Sequence, residues 1–127
     1  MTSERLARRA AELIYDRQGD DIVIMDLRCH SPLADYFVLA TAGSAVHGRA
    51  IAEELQERLK REGEPVHHVE GEENGTWVLL DYFTVVVHIL LGEVRQFYGL
   101  ERLWGDAPQR PFPENPDVNR RTGRMRA

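Results

Sequence analysis

The sequence predicts an α/β domain, a small mixed sheet with flanking helices, and three observations predict it. Two stretches repeat apolar residues at spacings of three and four, the mark of amphipathic helices. Four shorter stretches are dense in valine, isoleucine, leucine and aromatic residues and are bounded by turn formers, as strands are. A long helix falls between two of these strands, in the position of a crossover. The chain has 127 residues, 43% of them hydrophobic, which suffices for one core and little more.

The first helix is expected over residues 4–18, with Leu6, Ala10, Leu13 and Ile14 on its apolar side and Gly19 as its end. Residues 22–27 read as a largely buried strand. Ser31 followed by Pro32 resembles a cap and a first helical position, so one helical turn is expected over 32–35. Residues 35–40 read as a second strand and 41–44 as a loop. Ser44 caps a helix over 45–62, whose stripe is Ile51, Ala52, Leu55 and Leu59, and Gly63 terminates it. A short edge strand over 65–69 and a loop over 70–75 lead to strands 76–81 and 85–91, joined tightly as a hairpin. A short helix over 93–99 carries Val94, Phe97 and Tyr98. Beyond Asp106 the composition changes: Pro108, Pro111, Pro113 and Pro116 precede an arginine-rich end with few large apolar side chains. The domain is therefore expected over 1–106 and a disordered tail over 107–127.

The net charge of −5 is unevenly spread. Residues 105–127 hold five arginines against Asp106, Glu114 and Asp117, a balance of +2, which leaves −7 on the rest. An acidic body argues against bare nucleic acid as a partner, because phosphates need a basic face. It suits a basic protein. The start carries no apolar leader and no stretch is long enough to span a bilayer, so a cytoplasmic protein without a membrane contact is expected. A single cysteine, Cys29, has no partner for a disulfide and reads as a small packing residue.

The hairpin is the most informative segment. Side chains alternate faces along a strand, so Trp77, Leu79 and Asp81 share one face. Across a tight turn, odd positions pair with even ones, which adds Val86, His88 and Leu90 to that face. The other face is wholly aliphatic and belongs to the core. A tryptophan set among a carboxylate and an imidazole suits a contact surface. The competing reading is an indole covered by the chain's own elements, since tryptophans are highly buried on average.

Other constellations point to less. His67, His68, Glu70 and His88 match no helical zinc spacing, and adjacent strand histidines face opposite ways, so no metal is expected. Cys29 lacks a base and an orienting group for nucleophilic work. Gly43 and Ser44 before a helix invite a phosphate, but Asp26 and Asp35 form no close acidic pair for magnesium, and no glycine-rich loop with lysine is present. The expectation is no enzyme, no cofactor and no small-molecule substrate.

Several motifs, in this order and spacing, resemble the ribosomal silencing factor, or Iojap, family. They are Ala34-Asp-Tyr-Phe-Val-Leu-Ala40, Gly43-Ser44, Ala50-Ile-Ala-Glu53, Glu70-Gly71, Trp77-Val-Leu-Leu-Asp-Tyr82, Val86-Val-His88, Arg95-x-Phe-Tyr98 and Leu100-Glu-x-Leu-Trp104. The resemblance covers about residues 5–106. It implies a fold like that of nucleotidyltransferases without their catalytic acids. It also implies a translational repressor that binds the large ribosomal subunit through the ribosomal protein numbered fourteen, at the intersubunit face. There it blocks joining of the small subunit when nutrients are short. On this resemblance Trp77, Asp81, His88, Arg95 and Tyr98 are the expected contacts, and self-association into a homodimer through the same face is the competing use. One departure stands out. Where the family usually carries Gly-Asp after Asp81-Tyr82, this chain has Phe83-Thr84, which alters the turn and places a phenyl ring at its tip.

Overall fold

The computed structural model describes residues 1–103 and 105–114. Helix α1 (Ser3–Asp16) begins at Thr2, whose hydroxyl accepts the Arg5 N–H at 3.2 Å. Strands β1 (Asp20–Asp26) and β2 (Tyr36–Ala42) follow, then helix α2 (Ala45–Arg61), the three-residue β3 (His68–Glu70), the hairpin β4 (Trp77–Asp81) and β5 (Val85–Leu91), two short helices α3 (Gly92–Tyr98) and α4 (Leu100–Leu103), and β6 (Gln109–Phe112). The six strands form one mixed sheet in the order β3-β4-β5-β2-β1-β6. Its centre is the parallel pair of β2 and β5, and the other four pairings are antiparallel.

Helices α1 and α2 cover one face. Leu6, Leu13 and Ile14 of α1 and Ile51, Leu55 and Leu59 of α2 meet the inward side chains of the sheet, among them Val38, Val78, Leu80, Val87 and Ile89, all fully or nearly fully buried. Burial of this kind supplies most of the drive to fold, at about 25 cal/mol per Å² of apolar surface. A smaller cluster lies on the other face, where Leu100 and Ala107 cover Met25, Leu27, Leu39 and Leu90. That cover reaches the hairpin at Leu90 and Trp77 and leaves Leu79, Asp81 and Val86 partly exposed.

Four expectations need correction. The helical turn over 32–35 does not form. The Ser31 hydroxyl instead accepts the Leu33 N–H at 3.1 Å, and the Asp35 N–H is drawn to the Thr84 carbonyl at 2.7 Å. The strand expected to stop at residue 40 runs on through Thr41 and Ala42, which pair with Leu90 and Leu91. The tail does not begin at 107: Gln109–Phe112 is an edge strand paired with β1, and Phe112 meets Tyr15 edge-on at 6.1 Å. Proline donates nothing to a ladder, but an edge strand needs donors on one side only, so Pro111 is tolerated there. Residues 115–127 of the expected tail lie outside the described residues. Cys29, expected to pack, is exposed.

The hairpin turn shows what the Phe83-Thr84 departure does. The Tyr82 N–H donates to the Val85 carbonyl at 2.9 Å, which leaves a two-residue loop. Phe83 sits at φ 69, left-handed backbone that costs a side chain roughly 1–2 kcal/mol. Its N–H donates to Asp81 Oδ1 at 2.8 Å, and its ring stands 3.9 Å from that of His67. We expect Phe83→Gly to raise stability by about 1 kcal/mol, the relief of strain outweighing the loss of a mostly exposed ring contact. Urea denaturation checks this: a lower midpoint would mean that the stacked rings, not the backbone, set the turn.

Candidate functional site

The face left bare by α3 and α4 carries a connected run of rings. Strand alternation puts Phe37 of β2, His88 and Val86 of β5, and Trp77, Leu79 and Asp81 of β4 on this side. The register pairs Trp77 with Leu90, Leu79 with His88 and Asp81 with Val86. The His88 ring lies 4.7 Å from Phe37 and 6.0 Å from the Trp77 indole. The indole lies 4.9 Å from Tyr98, and Tyr98 meets Phe97 edge-on at 5.0 Å. The run therefore rises from a buried floor to an open rim. His88 is buried, Trp77 is half-buried, and Tyr98 and Phe97 are 55% and 81% exposed. Helix α3 projects its aromatic pair because Gly99, at φ 57, ends it one residue later.

The start of β4 is fixed by Gly71. At φ +80 it brings the 70–75 loop so close that a Cβ there would lie 2.0 Å from the Trp77 carbonyl. That close approach accounts for the glycine in the Glu70-Gly71 motif.

The expected contact residues divide into two groups. Trp77, Asp81 and Tyr98 reach the surface. His88 and Arg95 do not. The Trp77 indole N–H donates to His88 Nδ1 at 3.1 Å, while His88 Nε2 is buried without a hydrogen-bond partner. Burial alone pushes the imidazole pKa down to about 4, because the charged form loses its hydration. Arg95 is 7% exposed and turned inward. Its guanidinium donates to both Glu101 carboxylate oxygens at 3.1 Å, to the Asp21 carbonyl at 2.7 Å and to Thr41 Oγ1 at 3.0 Å. It ties α3 and α4 to β1 and β2 and so holds Tyr98 in place. Leu79 and Val86, placed on this face by alternation, are half-buried members of it, and Phe97 is a member that the expected contacts left out. The signal for Phe97 was two adjacent aromatics on a helix too short to hide both.

The depressed His88 pKa has a signed consequence. Between pH 6.5 and about 4 the unfolded chain takes up a proton that the folded chain refuses. Its contribution to stability is therefore complete above pH 6.5 and declines as the pH falls through that window. We expect His88→Leu to flatten this decline relative to the wild type, as followed by urea midpoints at a series of pH values; parallel curves would refute it.

The other constellations are engaged elsewhere. Ser44 Oγ accepts the His47 N–H at 3.0 Å, and the Gly43 N–H donates to His47 Nδ1 at 3.0 Å, so these two backbone donors at the head of α2 are used internally. Arg28 binds both oxygens of Asp26, at 2.9 and 2.7 Å, and holds its carboxyl below the usual range. His68 pairs with Glu70 at 3.0 Å, His67 stacks on Phe83, and His88 lies beneath Trp77. Among the described residues no three His, Cys, Asp or Glu side chains are placed to hold a metal ion. No described helix is long and apolar enough to cross a membrane.

Helices on one face of a mixed sheet, with an aromatic strip on the other, define a small α/β domain with a surface that could dock a protein. The sequence matches the family described as "Ribosomal silencing factor during starvation" over residues 1–127. It is 36% identical over 108 residues to the ribosomal silencing factor of Bacillus subtilis, covering 85% of this chain and 92% of that one. A crystal structure of a protein from Chromobacterium violaceum superposes with a TM-score of 0.80 at 36% identity, over 83% of this chain and 88% of that one. A mouse protein named for mitochondrial assembly of the ribosomal large subunit is 28% identical over 95 residues, 72% of this chain and 42% of its own. The chain belongs to the ribosomal silencing factor family, a family of ribosome-associated factors that silence translation.

Proposed function

We propose that this chain is a translational repressor that docks its aromatic face on the large ribosomal subunit and obstructs the small subunit. The observation that carries the proposal is the half-buried Trp77, flanked by exposed Tyr98 and Phe97 on a sheet face that α3, α4 and Ala107 cover only in part. Large rings at the centre of a polar surround are what interface anchors look like. Two further points favour the large subunit. The mouse relative's name carries that subunit. The acidic body of the chain, with Asp81 at the edge of the patch, suits a basic ribosomal protein, for which the one numbered fourteen at the intersubunit face is the proposed partner.

In this reading Trp77 and Tyr98 anchor, Asp81 pairs with a basic group, and His88 and Arg95 hold the anchors from beneath. A domain of this size covers about 800 Å² of its partner, the usual share of a specific interface. Two bodies cannot occupy one surface, so docking and subunit joining compete. No bond is made or broken, and no cofactor takes part. The strength of repression follows from affinity and cytoplasmic concentration, so a rise in the protein during nutrient shortage is enough to engage it. Sucrose-gradient sedimentation of ribosomes with added protein tests the proposal. Co-migration with the large subunit and loss of the joined particle are expected; sedimentation with the small subunit, or with neither, would refute it.

A further inference from the structure

We propose that His88 is a positioning residue that selects the outward edge of the Trp77 indole by accepting its N–H. The inference rests on the docking reading above and adds a specific device to it.

An indole on an open sheet can turn its ring over, which exchanges a polar edge carrying the N–H for an apolar one. Solvation favours the N–H outward, toward water. Here it points inward, to His88 Nδ1 at 3.1 Å. An acceptor at Nδ1 requires the ring to be neutral with its proton on Nε2. Burial enforces the neutral form at ordinary pH, and the titratable groups on the surrounding elements leave it undisturbed. These are Asp81 on β4, His68 and Glu70 on β3, and Arg95 and Tyr98 on α3; burial is what holds the His88 pKa down. On β2 the neighbours are Phe37, Leu39 and Thr41, none charged.

The arrangement has a cost that marks it as more than packing. His88 Nε2–H is buried without a partner, which a leucine of similar volume would avoid. As a core residue, then, histidine is the poorer choice. What it supplies is a single acceptor beneath the indole, whose polar edge is thereby hidden. Trp77, Tyr98 and Phe97 then present only apolar surface to a partner. An indole free to turn over would present its N–H half-satisfied and lose affinity on docking.

The test combines two variants with a measurement on the free protein. In His88→Leu we expect an unchanged or higher urea midpoint, together with an upfield shift and faster solvent exchange of the Trp77 indole N–H resonance. That resonance is distinguished from that of Trp104 by its loss in Trp77→Phe. Large-subunit capture should weaken roughly tenfold, the worth of one hydrogen bond to a fixed anchor. His88→Asn, whose Oδ1 stands where Nδ1 does, should restore most of both. In the wild type, long-range nitrogen–proton correlation should show the His88 proton on Nε2. A proton on Nδ1, an indole resonance unmoved in His88→Leu, capture unchanged once the indole is freed, or Asn behaving as Leu does would each overturn the proposal. If Trp77→Ala leaves capture intact, the docking reading fails, while the indole and tautomer measurements still decide whether His88 orients Trp77.

Discussion

Trp77→Ala is expected to leave a folded protein that captures large ribosomal subunits at least about 30-fold more weakly, a loss of roughly 2 kcal/mol or more. Two features make the separation of folding from binding credible. The indole belongs to the smaller cluster on the open face, not to the aliphatic core beneath α1 and α2. Its neighbours on β4, Val78 and Leu80, point to that core and keep the strand in place without it. Truncation also uncovers His88 Nδ1, which accepts the indole N–H in the intact protein, and this limits the damage to the fold. Melting temperature and subunit pull-down, measured on the same preparation, check the prediction. Undiminished capture would remove Trp77 from the contact. A collapsed melting temperature would make the indole a structural residue first.

Arg95→Leu should cost about 3 kcal/mol of stability. Removing one partner of a buried ion pair leaves the other uncompensated. Here the Asp21 carbonyl and Thr41 Oγ1 lose their donor as well, and the Glu101 carboxylate, which is partly exposed, is relieved only in part by water. The double variant Arg95→Leu/Glu101→Leu should recover some of the loss, because no charge is then stranded. Urea denaturation of the two variants measures the coupling. If the double variant is no more stable than Arg95→Leu, the ion pair is not what ties α3 and α4 to the sheet. A folded Arg95→Leu sample should also dock poorly, since Tyr98 and Phe97 ride on the helix that Arg95 secures.

The readable parts of this fold were those fixed by local pattern. The three-and-four spacing of Leu6, Ala10, Leu13 and Ile14 located α1, and Ser44 marked the head of α2 through a hydroxyl that does accept from His47. Alternation along the hairpin put Trp77, Leu79 and His88 on one face in the observed pairing, despite an unexpected turn sequence. What escaped was set by distant partners. Gln109–Phe112 reads as part of a disordered tail because prolines flank and interrupt it, and only the free edge of β1 makes it a strand. Arg95 sits in sequence like a surface residue beside Tyr98. Its burial is decided by Asp21 and Thr41, 74 and 54 positions away. The same holds for His88: alternation gives its face, but its depth depends on the indole that closes over it. The candidate site was thus legible as a face and as a tryptophan, and not as the division between rings that reach the surface and groups buried beneath them.

The margins of the sheet bear on how copies of the protein behave when crowded. One margin is a strand of three residues, two of them His68 and Glu70; the other is interrupted by Pro111 and carries Arg110 beside it. Short, charged and proline-broken borders are poor templates for adding a foreign strand. Growth of ladders from molecule to molecule is thereby discouraged at both ends, and the protein can display a greasy strip on its flat side without inviting fibrils from its rims.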